Sequence, residues 1–180
     1  MTSFDAYAAH DDRRLFEWID GAVEMLPDLS RAECALRDRL LARVGGHVEA
    51  NELGLLIPAP FPVRMPEEMR RAREPDLLFV PNIFVETIQE RYVNSHGVTL
   101  VIEICDHRTR HIDLGVKLHE YQFAGVPEYW VLDAERHALS VFMLQHDGYQ
   151  RVDPDPMGGI CSRSVVGLTL RREDLGWTGP

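Results

Sequence analysis

Short apolar runs alternate with charged segments along the chain, and the period of each run predicts an element. Residues 16–25, FEWIDGAVEM, alternate about Asp20-Gly21 and predict a hairpin. Ser30-Arg31-Ala32-Glu33 has the form of a capping box, in which each of two side chains satisfies the other residue's backbone N–H. It opens a helix to about residue 50, with one face marked by Leu36, Leu40, Val44 and His47 and with Glu33 on or near that face. Residues 54–66 are apolar but broken by prolines, which predicts a strand, an edge or bulge, and a loop. Asp76–Val80 predicts a buried strand, residues 83–92 a short helix, and residues 98–105, VTLVIEIC, a second buried strand.

Thr109–Ala124 predicts a helix ended by Gly125 and Pro127. EYWVLD then reads as a strand, and residues 138–144 and 149–153 as a hairpin about Asp147-Gly148. Ser164–Val166 reads as a short strand and Arg171–Leu175 as one helical turn. This order and the length predict one domain over residues 1–180. Its class is α/β bordering on α+β, a central mixed β-sheet flanked by helices.

Composition narrows the possibilities. A chain that is 45% hydrophobic can bury a core, which excludes a disordered chain. No apolar run reaches the length of a membrane span, and the first residues carry acids and no apolar signal core, so a soluble cytoplasmic protein with no membrane partner is expected. Cys34, Cys105 and Cys161 include no C-x-x-C spacing and cannot all pair, so reduced side chains are expected. A net charge of -10 excludes a surface built throughout to grip nucleic acid but leaves a local basic groove open. Of the 19 basic residues, only Lys117 is a lysine. In a chain that otherwise uses arginine, a compact ammonium at one position is a candidate for chemistry.

Glu103 lies inside VTLVIEIC, and strand alternation sets Thr99, Val101, Glu103 and Cys105 on one face. A buried carboxylate is costly unless a cation or strong donors meet it, so Glu103 is either a metal ligand or the partner of an arginine. Asp76 starts the neighbouring apolar run, as a strand-start cap or as a second acid converging on the same point. On the following helix, Asp113, Lys117, Glu120 and Ala124 form one stripe, so Lys117 either faces the acids or pairs with Asp113 one turn away. His107 and His111 have a spacing that suits zinc only if both are helical, and no third ligand accompanies them. Arg70, Arg71 and Arg73 precede Asp76, and Arg108 and Arg110 follow Glu103; they are phosphate-binding candidates or a solvated charge run. Tyr129-Trp130 reads as core packing rather than a stacking platform.

Pro75-Asp76, Glu103 and a nearby lysine resemble the PD-(D/E)XK nuclease superfamily. The stretch from Glu103 to Asp133 is similar to a bacterial family of restriction endonucleases with the pattern E-V-x-S-x-x-T-x-x-x-D-x-x-x-K, then Y-x-x-x-G-V-x-E-Y-W-x-x-D. Glu103, Thr109, Asp113, Lys117, Tyr121, Gly125, Val126, Glu128, Tyr129, Trp130 and Asp133 all fall in place. The resemblance spans about residues 14–175, which sets the expected core, FEWIDGAVEM matching the opening hairpin and EPDLLFV the motif strand. In this family the lysine has moved from the strand to the helix, which gives its role to Lys117, since Cys105 stands at the usual place. Two departures are Asp106, where the family has Ser, and Glu33, where a His is usual near the first helix.

The resemblance implies a restriction-endonuclease-like fold and Mg²⁺- or Mn²⁺-dependent hydrolysis of DNA. It assigns Asp76, Glu103 and Lys117 to catalysis, Asp76 and Glu103 to the metal, and Glu33 either to an accessory ligand position or to its cap alone. Cutting both strands of a duplex needs two sites, which makes a homodimer one assembly consistent with that activity. Two other readings stay open: an inactive nuclease-fold module that binds nucleic acid or protein, which Asp106 and the acidic charge favour, and a small-molecule hydrolase using the same metal.

Overall fold

Ser30 opens the first long helix by the reciprocal cap its sequence predicts. Its Oγ accepts from the Glu33 N–H, and the Glu33 carboxylate accepts from the Ser30 N–H. The computed structural model describes residues 1–9 and 15–177, so the expected start of the core at residue 14 lies outside the described residues. A helix α1 (Phe4–Ala8), which the apolar pattern did not predict, precedes the hairpin of β1 (Phe16–Ile19) and β2 (Ala22–Met25). Asp20 and Gly21 both take positive φ in its turn, which is why Asp-Gly suits it.

Helix α2 (Arg31–Leu40) continues through a π turn, Leu41–Gly45, into α3 (Gly46–Ala50). The wider turn changes the phase of the face. Val48 therefore joins Leu36, Leu40 and Val44 in the core in place of the expected His47, whose Nε2 lies 2.9 Å from the Val166 carbonyl. Then come β3 (Gly54–Pro58), β4 (Val63–Arg64), β5 (Arg71–Arg73) and β6 (Leu77–Pro81). The helix expected over residues 83–92 is instead a 3₁₀ stretch, Asn82–Thr87. No side chain caps it, and the β-branched Ile83, Val85 and Thr87 disfavour an α-helix.

β7 (Val93–Asn94) and β8 (Leu100–Cys105) follow, then a π turn, Ile112–Val116, that leads into α4 (Lys117–Phe123). β9 (Glu128–Asp133), β10 (Ala138–Gln145) and β11 (Gly148–Val152) complete the expected strand and hairpin. The strand expected at Ser164–Val166 is a turn between β12 (Ile160–Cys161) and β13 (Thr169–Leu170). Its backbone is claimed by Glu128, whose Oε2 accepts from the N–H groups of Arg163 and Ser164, so these donors are lost to any strand ladder. A 3₁₀ turn, Arg172–Leu175, ends the described fold as expected.

The main sheet runs β11-β10-β9-β8-β6-β3, with β8 and β9 parallel and the other neighbours antiparallel. The second sheet runs β2-β1-β5-β4-β7. Mixed sheets with a few helices place the fold on the α+β side of the expected border. Alternation divides the main sheet's core as the sequence implies. Leu77, Phe79, Leu100, Ile102 and Ile104 pack with α2 residues on one face, and Leu78, Val80, Val101, Cys105 and Tyr121 pack on the other. Trp130 and Tyr129 are fully buried on opposite faces, as core residues. No helix among the described residues is long and apolar enough to cross a membrane.

Candidate active site

Antiparallel pairing of β6 with β8 matches Leu77 to Ile102, and one step further sets Asp76 beside Glu103 on the α4 face. The Ile104 N–H donates to Asp76 Oδ2 at 2.7 Å, which fixes the carboxylate at the strand end. Glu103 Oε1 accepts from the Tyr121 hydroxyl at 3.1 Å, and Glu103 Oε2 lies 3.0 Å from Lys117 Nζ. The structure thus brings Asp76, Glu103 and Lys117 together.

Lys117 is 5% exposed and meets three acids. Besides Glu103, its Nζ lies 3.3 Å from Asp113 and 3.2 Å from Glu17. The two readings of the lysine therefore hold together: it pairs with Asp113 one turn away and faces the buried acid. Burial alone would lower its pKa, but the charges of Glu103, Glu17 and Asp113 outweigh that effect and hold the ammonium well above the usual lysine range. The acids respond in the opposite way. Burial pushes Asp76 up to about 7 and Glu74 up to about 7, and it raises Glu103 and Asp113 as well. For Glu17 burial acts upward too, but Lys117 and Arg73 overcome it and leave the carboxyl below its ordinary value.

A cavity with a water-accessible volume of about 40 Å³ opens between these residues and the start and end of the hairpin. That is room for an ion and a water or two, since one water needs roughly 10–15 Å³ on this measure. Glu33, Glu74, Asp76, Glu103 and Asp113 line it with the cations Lys117 and Arg108, so carboxyl groups outnumber cations in the lining. Asp76 Oδ1 has no hydrogen-bond partner among the described residues. Carboxyl oxygens gathered in a small cavity fit a hard divalent cation, for which one or two carboxylates plus waters suffice and whose charge would favour their ionised form.

Glu33 reaches the cavity wall, but its Oε2 is held by the Ser30 N–H and lies 3.1 Å from Arg108. Asp106, the acid that departs from the family pattern, is tied to Arg108 through the backbone N–H and Nε, both at 2.7 Å. Its charge is therefore countered locally. Among the described residues, the one trio of possible metal-ligand atoms within 4.8 Å of one another is Asp106, His107 and Glu135. Arg108 and Arg110 already approach its carboxylates, whereas no arginine among the described residues pairs with Asp76 or Glu103. His111 is exposed and does not join His107 in a site.

The five arginines separate. Arg70 is exposed, lies over the Trp18 ring 5.8 Å from its centroid, and has Asp20 at 3.9 Å. Arg71 is bound to Asp20 at 2.6 Å and to Glu120 at 3.1 Å. Arg73 is buried, with Glu17 and Glu120 taking its guanidinium. Arg108 serves Asp106 and Glu33, and Arg110 serves Asp133. Sequence reasoning missed Glu17 and Glu74. The available signal was an acid inside the apolar alternation of β1, and a second beside Pro75.

A family profile named Uma2 and described as "Putative restriction endonuclease" matches residues 2–172. The fold is similar to that of a solved chain described as a "putative nuclease belonging to DUF820 from Anabaena variabilis ATCC 29413". The TM-score is 0.76 over 98% of this chain and 99% of that one, at 13% identity, so the likeness concerns the fold. No curated protein matches the sequence.

Proposed function

Because this chain belongs to the Uma2 family, described as "Putative restriction endonuclease", we propose that it is a divalent-metal-dependent nuclease that hydrolyses phosphodiester bonds in DNA. The observation that carries the reading is the buried pair Asp76 and Glu103 with the only lysine 3.0 Å from Glu103. Asp76 and Glu103 would hold Mg²⁺ or Mn²⁺. When bound, such a cation supplies Lewis acidity, an activated water and compensation for charge on the transferring phosphoryl group.

The remaining work falls to the chain. Lys117 enters the reaction as an ammonium, which favours orienting a water and stabilising developing negative charge over accepting a proton. Asp113 and Glu17 keep that ammonium in place. Tyr121 fixes Glu103 through its other carboxylate oxygen, and Ile104 fixes Asp76 through its N–H. Arg70, exposed just before β5 and held only by a 3.9 Å contact with the exposed Asp20, is the phosphate contact this reading favours most; Arg71, Arg108 and Arg110 would have to share closer carboxylate partners, and Arg73 would have to leave a buried pair.

Cleavage of supercoiled plasmid with Mg²⁺ or Mn²⁺, by wild type beside Glu103→Ala and Lys117→Ala, tests the proposal. Cutting by wild type alone upholds it. No cutting by any of the three, across salt and both metals, favours the binding-module reading, and equal cutting by all three misplaces the site.

A further inference from the structure

We infer that Glu17, on the N-terminal hairpin, is the positioning residue for Lys117; this rests on the reading of Lys117 as part of the active site. Of the three carboxylates around the ammonium, Glu103 belongs to β8 and Asp113 lies one turn earlier on the helix that carries the lysine. Asp113 therefore moves with Lys117, and Glu103 is shared with the site's other duties. Glu17 comes from β1 in the other sheet, so it alone ties the ammonium to a separate part of the fold.

Glu17 is itself immobilised. It is 2% exposed, its Oε1 lies 3.2 Å from Lys117 Nζ, and its Oε2 accepts from Arg73. Arg73 reaches on to Glu120 of α4, with Nε at 2.6 Å and NH2 at 3.0 Å from the two carboxylate oxygens. The path Lys117–Glu17–Arg73–Glu120 leaves α4 and returns to it, so the hairpin is clamped to the helix beside the lysine. Glu103, Glu17 and Asp113 all lie within ion-pair distance of the ammonium, and Glu17 Oε1 meets it as a charge contact, not a directed hydrogen bond. A buried ion network of this kind is weak support for stability, since apolar packing of the same volume often does as well. Fixing the position of a reacting group is a use that apolar packing cannot replace.

The test uses the fact that Lys117 is the only lysine, so labelling lysine with ¹³C and ¹⁵N gives one ammonium signal in the full-length protein. In wild type, a protected ammonium signal and a nuclear Overhauser contact between the Lys117 ε-methylene and the Glu17 γ-methylene are expected. Glu17→Gln should abolish the ammonium protection and lower kcat for plasmid cleavage about 10- to 100-fold, with KM little changed, as a misplaced group does. Glu17→Asp should recover part of both. Glu128→Gln, a buried carboxylate outside the cavity, serves as the control for lost stability and should keep kcat. Unchanged ammonium protection in Glu17→Gln, or a kcat loss no greater than in an equally destabilised Glu128→Gln, overturns the inference. If Glu17→Gln does not fold, absence of the Lys117–Glu17 contact in wild type overturns it and presence upholds it. A wild type that cuts no DNA removes the nuclease reading, and the ammonium signal still decides the role of Glu17.

Discussion

Lys117 Nζ stands 3.0 Å from Glu103 Oε2, although the lysine is on the helix and the glutamate on the strand before it. The same ammonium serves Glu17 and Asp113, so its removal leaves three carboxylates buried without their cation. Lys117→Met should therefore destabilise the protein by about 3–5 kcal/mol at neutral pH. Urea unfolding followed by circular dichroism checks this, and a loss below about 1 kcal/mol would mean that the acids find other partners or protonate at little cost.

Stability should fall with rising pH in the absence of metal. Asp76 and Glu74 have folded pKa values of about 7, above the values near 4 of an unfolded chain, mainly through burial. The folded state then holds protons that the unfolded state has released, so the contribution is present below about pH 4 and is lost as pH rises through about 7. Glu103 and Asp113 shift in the same direction. The melting temperature in chelator should drop by about 5 °C or more between about pH 5.5 and pH 8.5, and Glu74→Gln with Asp76→Asn should flatten the drop. A melting temperature that rises over this interval would contradict the buried-acid account.

Glu128 belongs to the family motif yet serves the fold. Its two oxygens accept from Trp130 Nε1, from Ser162 Oγ and from the N–H groups of Arg163 and Ser164. Glu128→Ala leaves the buried indole N–H and three part-buried donors without their acceptor and should cost about 3 kcal/mol. Hydrogen exchange should show faster opening around residues 160–170, where the carboxylate holds the turn. Wild-type protection there would refute the role.

Arg70 offers a salt-dependence test of nucleic-acid contact. If it neutralises one phosphate, Arg70→Ala should weaken DNA binding on all sequences and reduce the slope of log K against log salt by about 0.9. Fluorescence anisotropy over a salt series reads both. An unchanged slope removes Arg70 from the interface.

Much of the main sheet was legible because its central strands are short, nearly continuous apolar runs buried on both faces. Glu103 stood out because a charge interrupts one of them, and Lys117 because the chain has no other lysine. The pairing of Asp76 with Glu103 needed the β6–β8 register, which no local pattern contains. Glu17 was illegible as a partner of Lys117, and Arg73 as a partner of Glu17, since contacts between elements far apart in sequence leave no spacing signature. Arg73 read as part of a basic run, whereas burial turns it into the partner of Glu17 and Glu120. Val48 replaced His47 in the core because a π turn changes the helix phase, and residues 164–166 failed as a strand because Glu128 takes the Ser164 N–H and Ser162 Oγ the Val165 N–H.

A Mn²⁺ titration followed by electron paramagnetic resonance tests the central claim most directly, because it separates the two carboxylate groupings near β8. The account predicts one tightly bound ion per chain above about pH 7, lost in Asp76→Asn and in Glu103→Gln and retained in His107→Ala and Glu135→Gln. Binding that survives Glu103→Gln and disappears with His107→Ala or Glu135→Gln would place the metal at Asp106, His107 and Glu135 and contradict the account.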